Sequence, residues 1–112
     1  MRLHRISAAV IGLLLLFAAA GSHSVAAADS STVAVQIDNF SFTPQEVKVK
    51  AGVTITWTNR DDIPHTVVSN DEAFKSKALD TDDKFTTTLT RPGTYSYFCS
   101  IHPKMQGRII VE

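Results

Sequence analysis

A chain of 112 residues has room for one hydrophobic core and no separate catalytic module. Its 11 Lys plus Arg balance 11 Asp plus Glu, so the formal net charge is zero. No block of like charge offers the basic surface that nucleic acid needs, and that partner class is excluded.

Residues 1–28 read as an export signal. Arg2, His4 and Arg5 make a basic start, Ala8 to Ala20 is almost wholly apolar, and small residues follow. The apolar run falls short of the roughly 20 residues that span a bilayer, so cleavage is expected rather than a retained anchor. The stretch Val25-Ala26-Ala27-Ala28-Asp29 places small residues where a signal peptidase reads them, after Ala27 or Ala28. No cysteine lies there, so no lipid anchor is expected. The mature domain then runs over 29–112 with nine basic against 11 acidic side chains, a charge of about −2. An exported location is expected, which in a Gram-negative host is the periplasm.

From Val33 onward the apolar pattern has period two, the mark of half-buried strands. Val33, Val35 and Ile37 alternate with polar or small residues, as do Val47 and Val49. The alternation returns in Val53 to Thr58, Phe85 to Leu89, Thr94 to Phe98 and Arg108 to Val111, all rich in β-branched or aromatic residues. Turn residues separate them: Pro44, Ala51-Gly52, Asn59 to Asp62 leading into Ile63-Pro64, and Pro92-Gly93. About seven short strands without a helical period predict an all-β, antiparallel β-sandwich or barrel. The segment Asn70 to Asp83 breaks the pattern and is expected to form a loop or a short helix. Trp57 is expected in the core.

The stretch Cys99-Ser100-Ile101-His102-Pro103-Lys104-Met105 follows a strand and places three metal-capable side chains at steps of three. Thiolate, imidazole and thioether together suit copper far better than calcium or magnesium. A second imidazole completes two His and one Cys around a weak axial Met. His65 is the natural candidate, because it follows a strand end and a turn, while His4 and His23 lie in the signal. Cys99 is the only cysteine, and a lone exported thiol needs a reason beyond packing. The acid pairs Asp61-Asp62 and Asp82-Asp83 read as turn and loop polarity. No nucleophile has an evident paired base and no phosphate loop is present, so enzymatic activity is not expected.

In these motifs the sequence resembles the blue copper proteins, or cupredoxins, most closely their amicyanin group. Beyond the four metal-capable residues, the likeness is carried by Ile55 to Arg60, Pro64-His65, Gly93 to Tyr97 and Gly107 to Glu112. The resemblance implies a Greek-key β-sandwich holding one type 1 copper ion near one end, bound by His65, Cys99, His102 and Met105. It implies that Met105 is the long axial donor and that His102 lies nearest solvent. Two positions depart from the family pattern: Thr66 stands where Asn is usual, and Ile101 where the amicyanin group has proline.

The expected function is single-electron transfer between exported redox proteins through Cu(II)/Cu(I). The resemblance suggests an amine dehydrogenase or nitrite reductase and a c-type cytochrome as partner classes. Docking is expected at an apolar collar around His102 formed with Ile63, Pro64 and Pro103. Two alternatives carry the same residues: a copper-handling protein that stores or delivers the ion, and a metal-free binding module.

Overall fold

The computed structural model describes residues 32–112, so the expected export signal and its cleavage site lie outside the described residues. Eight strands follow in order: β1 Thr32–Asp38, β2 Ser41–Thr43, β3 Glu46–Val49, β4 Thr54–Asn59, β5 Val68–Ser69, β6 Lys84–Thr88, β7 Gly93–Phe98 and β8 Gln106–Val111. They form two four-stranded sheets, β2-β1-β4-β6 and β3-β8-β7-β5, which make the expected all-β sandwich. Among the described residues no helix is long and apolar enough to cross a membrane.

The sheets are mixed rather than uniformly antiparallel. β1 runs parallel to β4, pairing Val35 with Trp57, and β3 runs parallel to β8, pairing Val47 with Ile109. Alternation along a strand decides which face is buried and leaves its neighbour's direction open, so this feature escaped the sequence reading. Segment 70–83 contains no helix; it is tied down by two isolated bridges, His65 to Leu79 and Val68 to Lys75.

The alternating residues meet as expected. Val35 and Ile37 of β1, Ile55 and Trp57 of β4, and Ile109 and Val111 of β8 are buried between the sheets. Trp57 is fully buried and packs near Phe74, Phe85 and Tyr97, with ring centroids 5.5, 5.6 and 5.4 Å away. Aromatic pairs at such spacing add stability beyond the area they bury. Gly107 faces Tyr97 across the β7–β8 pair, and a Cβ there would collide with the tyrosine ring.

Candidate metal centre

Two loops at one end of the sandwich carry the predicted residues. The first leaves β4 at Asn59, whose buried side chain organises it. Its Nδ2 donates to the carbonyls of Ile63 and Leu79 at 2.9 and 2.8 Å, and its Oδ1 accepts the Asp61 amide at 2.9 Å. The His65 amide then donates to the Leu79 carbonyl at 3.1 Å, and the Leu79 amide donates back at 2.7 Å. These backbone bonds to segment 70–83 hold His65 in a buried position.

The second loop links paired neighbours, since Phe98 of β7 faces Gln106 of β8. The Cys99 amide donates to the Met105 carbonyl at 3.1 Å, and the Met105 amide donates to the His102 carbonyl at 2.9 Å. These bonds fold Cys99, His102 and Met105 back on one another. Cys99 and Met105 are buried, while His102 is only partly so.

Cross-loop contacts unite them. His65 Nδ1 lies 3.7 Å from Cys99 Sγ, and the His65 and His102 rings are 5.3 Å apart. Met105 and His102 border one shallow recess with Phe40, Ile101 and Pro103. Among the described residues, no three His, Cys, Asp or Glu side chains stand at the spacing of a finished metal cage. His65 neighbours both Cys99 and His102.

The electrostatics favour ligand chemistry. Burial pushes the Cys99 thiol up, but the Thr66 amide, the His65 ring and the amides of His102 and Ile101 together bring it below the ordinary thiol value. The Thr66 amide donates to Sγ at 3.4 Å, and the Thr66 hydroxyl lies 3.7 Å from it. The same hydroxyl accepts the Ser100 amide at 2.7 Å and meets the Ser100 hydroxyl at 2.7 Å, so it ties the two loops together.

Two residues beyond the sequence-predicted set belong to this centre. Asp61, read from the sequence as turn polarity, places Oδ2 2.8 Å from His65 Nε2. Burial pushes its carboxyl up, yet the amides of Phe40 and Asn39 and the His65 ring outweigh that and hold it below the usual value. With Nε2–H donating to the carboxylate, the ring is oriented so that Nδ1 faces Cys99 Sγ. Phe40 brings its ring edge-on to both histidines. The Asp61 contact had a signal in sequence, because acid and histidine lie four apart around a turn; Phe40 had none.

A family model described as a cupredoxin-like domain matches residues 8–111. Amicyanin from Paracoccus versutus is 37% identical over 95 residues, covering 79% of this chain and 72% of that protein. A solved structure of a reduced amicyanin variant superposes with a TM-score of 0.68 at 34% identity, covering 72% of this chain and 82% of its own. A copper-containing nitrite reductase from Thermus scotoductus SA-01 superposes at 0.69 and 33% identity over 72% of this chain, which spans 22% of that enzyme.

Proposed function

Because the chain belongs to the cupredoxin-like domain family, we propose that it is a type 1 copper electron carrier using His65, Cys99, His102 and Met105 as ligands to one ion. The buried contact between His65 Nδ1 and Cys99 Sγ is the observation that carries this reading. The donor set fits: one thiolate, two imidazoles and a thioether are the ligands that copper accepts in both its oxidation states. The bound ion supplies a reversible one-electron couple.

The chain's own residues do the rest. Asp61 selects the His65 tautomer whose Nδ1 is free to bind metal. The Thr66 amide and its neighbours lower the Cys99 thiol below its ordinary value, which eases loss of the proton that a metal ligand must give up. Burial of Cys99, His65 and Met105 keeps water from the donors, so little solvent must rearrange when charge changes. The backbone bonds that close both loops keep the donors near one another in either state.

Partly exposed His102 gives electrons their route to the surface, and around it Phe40, Ile101 and Pro103 form an apolar rim. Phe40 and Ile101 are the two large hydrophobic residues among those described that stand exposed, at 50% and 48%. A small apolar rim suits encounters that form and part quickly with exported redox proteins, a dehydrogenase or nitrite reductase on one side and a c-type cytochrome on the other. The reading includes export by residues 1–28, a copper domain over 29–112 and a periplasmic site in a Gram-negative host. It assigns no turnover of substrate to this chain.

Adding Cu(II) to the purified protein tests the reading. An intense visible thiolate-to-copper band with the matching paramagnetic resonance signal is expected, at one copper per chain, and Cys99→Ser abolishes it. A pale or absent band overturns the electron-carrier assignment. Rapid loss of copper to a chelator, with slow electron self-exchange, points instead to copper handling.

A further inference from the structure

The turn between β1 and β2 holds two successive non-glycine residues in the left-handed region, Asn39 at φ 50° and Phe40 at φ 56°. They form the two-residue turn of the β1–β2 hairpin, a geometry that Asn accepts readily but a bulky phenylalanine does not, so an added interaction steadies it. Asp61 supplies it. The Asn39 amide donates to Oδ1 at 2.6 Å and the Phe40 amide donates to Oδ2 at 3.0 Å. Two consecutive left-handed amides pointing the same way form a small concave site for an anion, and this carboxylate fills it.

The same Oδ2 lies 2.8 Å from His65 Nε2. One carboxylate therefore grips both a buried imidazole and the turn that carries the most exposed aromatic residue among those described. Held this way, the Phe40 ring meets His65 and His102 edge-on, with centroids 5.5 and 5.2 Å away and interplanar angles of 86° in both cases. Neither loop that bears the predicted ligands contributes this ring.

We propose that Phe40 is an aromatic cover over the two imidazoles and that Asp61 is the positioning residue that locks the cover in place. The proposal rests on the copper reading for its purpose, since the cover shields the solvent side of the centre. Its structural content, a clamped turn and a shielded His102, belongs to the metal-free protein as well. Asp61 is held at its own backbone: its amide donates to Asn59, and its carbonyl accepts the Thr81 hydroxyl at 2.6 Å. The clamp is thus anchored to β4 and to the loop before β6, and the cover moves only if the carboxylate lets go.

The experiment uses the metal-free protein and its Phe40→Ala, Asp61→Ala and Asp61→Asn variants, with the Phe40→Ala/Asp61→Ala double. Hydrogen exchange reads the clamp. The Asn39 and Phe40 amides are expected to lose at least tenfold protection in Asp61→Ala, to recover part of it in Asp61→Asn, and to do so while β4 and β7 amides stay protected. Carbethoxylation of His102, followed by peptide mass spectrometry, reads the cover. It should quicken several-fold in Phe40→Ala and in Asp61→Ala, and the double should be no faster than either single, because both remove the same shield.

Unchanged amide protection in Asp61→Ala overturns the clamp, and an unchanged His102 rate in Phe40→Ala overturns the cover. Additive effects in the double overturn the link between them. If Asp61→Ala does not fold, Asp61→Asn with Phe40→Ala decides by the same criteria. None of these readouts needs copper, so failure of the copper reading shows separately, as a missing thiolate band in the wild-type protein.

Discussion

The Thr66 hydroxyl accepts the Ser100 amide at 2.7 Å and stands 3.7 Å from the Cys99 sulfur, so one small side chain serves both the loop and the proposed ligand. Thr66→Val keeps the shape and the backbone bond to sulfur but removes the acceptor. Ser100 is exposed, so water can take over its amide, and the loss is expected to cost about 0.5–1.5 kcal/mol, measured by urea unfolding. Losing a donor near the thiolate raises electron density on sulfur and favours the oxidised ion, so voltammetry should record a lower reduction potential. Thr66→Ser should restore both properties, and a raised potential in Thr66→Val would contradict the argument. The sequence made Cys99, His102 and Met105 legible because they follow one another in a single short loop. His65 was singled out by its place after a strand end and a turn, by its Pro64-His65 pair, and as the histidine left once His4 and His23 fall in the signal. Phe40 was not, since an aromatic residue carries no ligand chemistry and its placement arises from a left-handed turn clamped by a residue 21 positions away. Thr66 was visible as a departure from the family pattern, but its bond to Ser100 needed the two loops side by side.

Strand existence was legible from alternation, whereas strand partnership was not. The long, regular strands β1, β4, β7 and β8 fell where the period-two runs predict them. β2 and β5 contain only three and two residues, too short for a period to register. The stretch 70–83 is irregular because its order comes from side chains bonding to backbone. Ser69 Oγ accepts the Phe74 amide, and Ser76 Oγ accepts the Val67 amide, at 3.0 and 2.8 Å. One glycine decides how closely β7 can present its core residue. Tyr97 leans over Gly107 on the paired strand, where even a methyl group would overlap the ring. Phe42, Trp57 and Phe74 pack around Tyr97 within the core, so its ring cannot retreat in that direction. Gly107→Ala is therefore expected to destabilise the fold by about 1–3 kcal/mol through overpacking. Urea unfolding checks this, and a neutral result would mean that the β7–β8 pair relaxes freely.

Because both sheets close on one core, a charge forced into that core is felt by the whole molecule. Tyr97 is the clearest case: burial pushes its hydroxyl up to about 12 from the ordinary 10, with the nearby Trp57 side chain pulling weakly the other way. Its hydroxyl and the Trp57 indole N–H are buried without hydrogen-bond partners among the described residues, so the indole N–H is the one weak donor toward a phenolate and burial outweighs it. Below the unfolded value both states keep the proton and the residue contributes nothing that varies with pH. Between about pH 10 and about pH 12 only the unfolded chain releases it, and stability falls by about 1.4 kcal/mol for each pH unit. The loss from this residue reaches about 3 kcal/mol and then levels off once the native hydroxyl also ionises. Tyr97→Phe keeps the ring and removes the titration. A single core of this size unfolds as one unit, so urea midpoints report the global free energy directly. The difference in stability between wild type and Tyr97→Phe should therefore be flat up to about pH 9 and then shift steadily in favour of the variant as pH rises toward about 12. A difference that stays constant across that window would show that the Tyr97 hydroxyl reaches solvent before the fold opens, and that the core at this end of the sandwich is looser than its burial implies.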